Sequence, residues 1–192
     1  MNAQHVSPAT GNDFHRSRSS RTAAFGRPTQ ELVIRRLAAA DLPVIGAHLL
    51  ALDASDRHSR FHALLGDDAI RDYIGRIDFA RMILTGAFDE ETGDDSGRLV
   101  GLAEAHLDAP TSPLRAEVSV SVLASHRSQG IGRLLVAVAL DAAATRGTRR
   151  ADFYYQTGNR AVARLVRDLG APIATAPGFA SLALPLGSAL LH

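Results

Sequence analysis

Glu117-Val118-Ser119-Val120-Ser121-Val122, followed after a short gap by Arg127-Ser128-Gln129-Gly130-Ile131-Gly132, is the stretch on which the fold turns. Valines alternating with polar residues have the two-residue period of a strand with one apolar face. Gly130 and Gly132 let the backbone bend and let a ligand come close to the amides. From Arg133 to Thr145 the chain is mostly apolar and reads as a helix, stopped by Arg146-Gly147. A strand running through a glycine loop into a helix offers unpaired N–H groups and the positive end of a dipole, which suits a phosphate or pyrophosphate. Arg127 and Arg133 add guanidinium charge beside it.

Working outward, the periods alternate. Leu32 to Leu37 reads as a first strand, and Asp41 heads a helix with Pro43 in its first turn and Leu42, Ile45, Leu49 and Leu52 on its apolar face. Ser55 and Asp67 each open a further helix, the second with Ile70, Tyr73, Ile74 and Ile77 at helical spacing. Met82 to Leu84 and Arg98 to Leu102 form a hairpin around the acidic turn 89–97. Beyond the central helix come a strand at Ala151 to Tyr155, a helix from Asn159 to Leu169 ended by Gly170, and a strand at Ala180 to Leu184. The order strand, helices, three meandering strands, helix, strand, helix, strand predicts a mixed α/β single domain over residues 31–192. Residues 1–30 carry Arg16, Arg18, Arg21 and Arg27 among small polar residues without apolar periodicity, and are expected to form a disordered or loosely docked tail. Their composition also resembles a transit peptide, but the amphipathic face is missing; with no secretory segment, a cytoplasmic location is expected.

Composition removes whole classes of chemistry. The 192 residues hold 21 basic side chains, all arginine, against 20 acidic ones, and there is no cysteine. Without lysine there is no Walker lysine, Schiff-base nucleophile or lysine base. Without cysteine there is no thiolate nucleophile, disulfide or cysteine-held zinc. A net charge of +1 argues against nucleic acid as a partner, and no apolar run is long enough to cross a bilayer.

The glycine loop therefore fails as a P-loop, and as a dinucleotide fingerprint it has Leu135 where the third glycine belongs. Arg127-Ser128-Gln129-Gly130-Ile131-Gly132 instead resembles the acyl-CoA motif of the GNAT N-acetyltransferase superfamily: Arg or Gln, two residues, Gly, one residue, Gly or Ala. Asn159, heading Ala161-Val162-Ala163-Arg164-Leu165-Val166, and the segments Asp56-Arg57-His58-Ser59-Arg60-Phe61 and Ile77-Asp78-Phe79-Ala80-Arg81 are similar to a bacterial branch of that family.

The resemblance implies a GNAT-type domain with a mixed central sheet, helices on both faces and a strand splayed before the cofactor loop. It implies acetyl-CoA as co-substrate and acetyl transfer to an amine of a small molecule or protein, and homodimeric assembly follows from family habit. Val120, Ser121 and Val122 would meet the pantetheine arm. The amides of Arg127, Ser128, Gln129, Gly130, Ile131 and Gly132, with Arg133, would hold the pyrophosphate, and Asn159 would contact the cofactor's far end. The attacking amine must be neutral, so a carboxylate takes its proton; Glu117 is the first choice and Glu104 the second. A backbone N–H of the splayed strand would meet the oxyanion.

The tyrosine that serves many members as general acid is here Val166, with Tyr154 and Tyr155 nearby on a strand, where core packing is their expected role. Arg57 and Arg60 lie where the acceptor wall is built and would favour an acceptor with a carboxylate or phosphate. His58 and His62 have metal-ligand spacing, but the metalloprotease glutamate is missing and no metal is expected. Two alternatives remain: a catalytically silent acyl-CoA-binding regulatory or sensor module, and a non-CoA phosphate binder using the same loop.

Overall fold

The structure is a computed structural model that describes residues 17–18, 32–89, 97–109, 111–112, 114–170 and 176–184. The strands are β1 (Ser17–Arg18), β2 (Leu32–Arg36), β3 (Met82–Asp89), β4 (Arg98–Leu107), β5 (Arg115–Val122), β6 (Arg150–Tyr154) and β7 (Phe179–Ala183). The helices are α1 (Leu42–Leu50), α2 (Ala54–Phe61), α3 (Asp67–Gly75), α4 (Ile131–Thr145) and α5 (Arg160–Asp168). The strands form one sheet in chain order. Every neighbouring pair is antiparallel except β5 and β6, which are parallel. This is the mixed sheet expected.

Helices cover both faces. The β4–β5 register pairs Gly101 with Val122 and Leu102 with Ser121, so odd positions of β4 face one way and even positions the other. α4 lies on the Gly101 face, where its Leu135 approaches that glycine, and α1 lies on the other, where its His48 reaches Ser121. Covered on both sides, β3 is buried at every residue, and β4 at all but its first residue and His106. That cover explains why these strands run past the short apolar runs legible in sequence: small residues such as Gly86, Ala87, Ala103 and Ala105 carry them on beneath α4 and α1. Ile45 and Leu49 of α1, and Leu135, Ala139, Leu140 and Ala143 of α4, are fully buried in one core with Ile83, Val100 and Leu102.

Some local details differ from the sequence expectation. α2 starts at Ala54 rather than Ser55, because the Asp53 carboxylate accepts from the Asp56 N–H at 2.7 Å and caps the helix first. The Asp41 side chain makes no cap bond to α1; it accepts from the Ala38 N–H and pairs with Arg35. In the expected tail, Ser17–Arg18 pair with Val33 and Ile34 of β2, and the remainder of 1–30 lies outside the described residues. The acidic turn lies outside them from 90 to 96.

Candidate active site

β5 and β6 are paired only from Arg115↔Arg150 to Glu117↔Asp152. Beyond that, Val118 to Val122 stay bonded to β4 while Phe153 and Tyr154 stay bonded to β7, so the two parallel strands part at their carboxyl ends. Such a parting is where open α/β sheets take ligands. The chain leaves β5 through a helical turn at Ala124–His126. There the buried His126 ring has Nε2 3.0 Å from Asp89 Oδ2 of β3 and Nδ1 2.8 Å from Ser125 Oγ. That link fixes where the glycine loop begins.

In the loop, Ser128 has φ 62° and Gly130, the N-cap of α4, has φ 81°. Glycine takes that left-handed conformation without strain. Gly132 has a different use. A Cβ added there would lie 3.5 Å from Leu165 Cδ1 and 3.7 Å from Cγ2 of both Val120 and Val122. Its bare Cα therefore faces the space between β5 and α5. The first N–H groups of α4 have no partner within the helix. Ser128, Gln129 and Arg133 are exposed at this end, whereas the Ile131 side chain is buried in the core and has only its backbone to offer a ligand.

Arg127 is engaged: its Nε donates to Val122 O at 3.0 Å and its guanidinium pairs with Asp56 of α2. Asn159 caps α5 by accepting from the Val162 N–H at 3.1 Å, and its amide donates to Ser59 of α2 at 2.6 Å. Both residues expected to touch the cofactor are thus tied to α2. Of the splayed strand, Val120 and Val122 face α4, and Ser121 faces α1. There the Ser121 hydroxyl donates to His48 Nε2 at 2.8 Å, a tautomer set by His48 Nδ1–H donating to Leu99 O at 3.1 Å. Burial lowers the His48 pKa to about 4, so the ring is neutral.

The two candidate carboxylates occupy opposite environments on one face of the sheet. Glu104 is fully buried, with Arg60 Nη2 at 2.7 Å, His106 Nε2 at 3.4 Å and the Tyr73 hydroxyl donating to it. Burial alone would raise its pKa; the Arg60 charge, helped by hydrogen bonds from His106 and Tyr73, holds it down at about 2. Burial likewise opposes the Arg60 charge, and Glu104 more than offsets it. The Tyr73 phenol is held well above its ordinary pKa by burial and then by Glu104. Arg60 Nε, Glu104 Oε1 and Ser119 Oγ are buried without a protein hydrogen-bond partner, and Ser119 is the cross-strand neighbour of Glu104. Glu117, by contrast, is exposed where β5 leaves β6. It lines an open pocket of about 610 Å³ with His62, Tyr154, Tyr155, Gln156 and Gly178 among its walls.

Several expectations are corrected. Arg57 donates to Leu50 O and Leu52 O and pairs with Asp67, and Arg60 is closed in with Glu104, so neither forms a charged acceptor wall. Tyr154 is 49% exposed and lines the pocket rather than the core, whereas Tyr155 both lines the pocket and packs against the core as expected. His62 follows the last residue of α2 in a left-handed conformation and lies 3.3 Å from Tyr154 O, so it leaves the helical face that carries His58. Among the described residues no group of three His, Cys, Asp or Glu could hold a metal ion. Val166 is buried.

Sequence reasoning missed His48, Tyr73 and His126 as site-building residues. The first two carried a signal: a histidine beside Leu49 on an apolar helix, and a phenol on the buried stripe of α3. The partner of His126, Asp89, was hidden in an acidic turn.

The sequence model of the acetyltransferase (GNAT) family matches residues 51–171. No curated protein matches the chain significantly. Among solved structures, the GNAT domain of S. lividans PAT superposes with a TM-score of 0.64 at 18% identity, covering 81% of this chain and 92% of that one. A phosphinothricin acetyltransferase from Sinorhizobium meliloti, in complex with AcCoA, gives 0.60 at 18% identity, covering 81% and 90%. The cAMP-binding acyltransferase from Mycobacterium smegmatis gives 0.59 at 17% identity, covering 90% of this chain and 48% of that one. At these identities the likeness is one of fold. No described helix is long and apolar enough to cross a membrane.

Proposed function

Since the chain belongs to the acetyltransferase (GNAT) family, we propose that it is an enzyme transferring an acetyl group from acetyl-CoA to a primary amine by direct attack. The observation that carries the reading is the parting of β5 from β6 immediately after Glu117, with the glycine loop at its open end and a pocket at its base. Gly132 supports the fit: its bare Cα lies beside Val120, Val122 and Leu165, where a Cβ would take up the room left for a ligand at the start of α4. Amides of residues 127–132 and the Arg133 guanidinium are assigned to the pyrophosphate, backbone groups of Val120, Ser121 and Val122 to the pantetheine arm, and Asn159 to the same ligand once it releases Ser59. The Arg127 guanidinium holds the end of β5 and α2.

Bound acetyl-CoA supplies the activated acyl group; the amine nitrogen bonds the acyl carbon as the carbon–sulfur bond breaks. Glu117 is assigned as general base because it is the carboxylate that reaches the pocket, and it takes the proton the amine loses. Glu104, ionised down to a pH of about 2 and enclosed by Arg60 and Tyr73, is a poor proton acceptor at neutral pH and anchors α2 and α3 to β4. A backbone N–H of the splayed strand meets the oxyanion. With Val166 buried at the usual acid's position, the thiolate leaves without that tyrosine.

The test is calorimetry with acetyl-CoA followed by free-thiol release across a panel of amines. Binding with turnover is expected; binding without thiol release would make the chain a silent acyl-CoA module, and failure to bind would end the reading. Gly130→Asp, which adds bulk and negative charge at the loop, is expected to abolish acetyl-CoA binding while the protein stays folded by circular dichroism.

A further inference from the structure

We propose that the acceptor is an amine with an aromatic body and no acidic group, and that amines carrying a carboxylate or phosphate are poor acceptors. The inference rests on the acetyl-transfer reading of the same pocket and adds the chemistry of what enters it.

Charge is the first argument. Among the described residues lining the pocket, Glu117 is the one carboxylate and there is no arginine. Several arginines near in sequence and strand register are bonded elsewhere, and Arg160, exposed at the start of α5, is not among the lining residues. Arg60 is buried against Glu104, and Arg57 is bonded to Asp67 and to backbone carbonyls. Arg115 and Arg150, paired two residues before Glu117 and Asp152, both bond the Asp152 carboxylate, which also accepts from Ser181. Arg127 pairs with Asp56. A substrate carboxylate in the pocket would meet Glu117 without a lining cation as partner, so like charges would be brought together. An ammonium ion is attracted by the same carboxylate, loses one proton to solvent to become the neutral amine, and gives Glu117 the second as the acyl bond forms.

Aromatic surface is the second argument. Tyr154 is one of three large apolar side chains left strongly exposed among the described residues, and it stands on the pocket wall. Its ring lies 5.1 Å from that of Phe179, which steadies it, and Tyr155 lines the pocket beside it. A half-exposed ring beside a carboxylate is suited to stack on an aromatic body or to face a cation. His62, just past the end of α2, also lines the pocket and lies against the backbone of Tyr154.

The test uses the full chain saturated with acetyl-CoA and the matched acceptors 2-phenylethylamine and phenylalanine, which differ by a carboxylate, with glutamate as an acidic control. The expected kcat/KM for 2-phenylethylamine exceeds that for phenylalanine by roughly tenfold or more. Parity, the reverse order, or glutamate as the best acceptor would overturn the proposal. Tyr154→Ala is expected to raise KM for 2-phenylethylamine about fivefold more than it raises KM for ethylamine; equal effects on both, or none, count against it. Should no amine release thiol, calorimetry of the same two compounds with CoA-loaded protein separates the two readings. Binding of 2-phenylethylamine in preference to phenylalanine keeps the acceptor class and removes the acetyl transfer; no preference, or no binding of either, sinks the acceptor class.

Discussion

Replacing Arg60 by methionine tests the ionic arrangement under the site most directly. Arg60 and Glu104 are 2.7 Å apart, with side-chain exposures of 8% and 0%, so solvent screens the pair little. The drop in the Glu104 pKa from 4.5 to about 2 means that its neighbours outweigh burial by about 3 kcal/mol. Arg60→Met leaves that carboxylate buried without its cation, which costs about 3–5 kcal/mol. Urea unfolding at pH 7 should show this loss, and the pH dependence should change sign.

In the wild type the depressed carboxyl contributes stability that is complete above pH 4.5 and fades as pH falls toward 2. In the variant the lone buried carboxyl titrates above 4.5, so it gains stability as pH falls from 7 toward 5 and the two curves converge. Glu104→Gln strands the Arg60 charge at comparable cost, and the double variant should recover most of either loss, because two neutral side chains leave no buried charge. A loss under about 1 kcal/mol for Arg60→Met, or strictly additive single variants, would show that the pair is not coupled and would refute the reasoning.

Gly132→Ala should separate folding from binding: the new Cβ meets its neighbours at ordinary contact distance, so thermal stability should rise by about 0.5–1 kcal/mol while acetyl-CoA affinity falls, as calorimetry would read. Retained affinity would move the ligand out of that space. Glu117→Gln, at an exposed position, should leave unfolding and cofactor affinity unchanged and lower kcat by a factor of about 100 or more; an unaltered pH–rate profile would acquit Glu117. His48, lowered from 6.5 to about 4, favours folding above pH 6.5 and loses that contribution as pH falls toward 4. Between pH 7 and 5 the wild type should therefore lose about 2 kcal/mol more than His48→Gln, and parallel pH curves would argue that the ring is not buried neutral.

The elements that carry chemistry were legible because local rules governed them. The valine–serine alternation of β5 needs only the period of a strand, and the Arg127–Gly132 loop needs glycine where φ is 81°. Residues whose roles depend on distant partners were not legible. Arg60 in sequence is a helix-surface cation; in the fold its partner is a strand residue 44 positions away, Glu104. Glu104 and Glu117 both look like polar positions on strands, yet α2 and α3 seal one and the parting of β5 from β6 opens the other. Tyr154 has the composition of a core strand and the location of a pocket wall, since β6 passes beyond its pairing with β5 two residues earlier.

The absence of lysine connects these observations. A cation enclosed like Arg60 has to stay ionised against burial and to bond a carboxylate and a phenol at once, which guanidinium does and an ammonium, liable to lose its proton when buried, does poorly. Arg57 and Arg127 show the same use, each bonding a carboxylate and a backbone carbonyl together to hold α2 in place. These three arginines are therefore drawn into the scaffold, and the acceptor pocket takes its charge from Glu117. Nor does any lysine side-chain amine of this chain compete for the acyl group, so an ε-amine substrate must arrive on another molecule. An acceptor pocket lined by one carboxylate and no arginine is selective for a positively charged nitrogen on approach and a neutral one at attack.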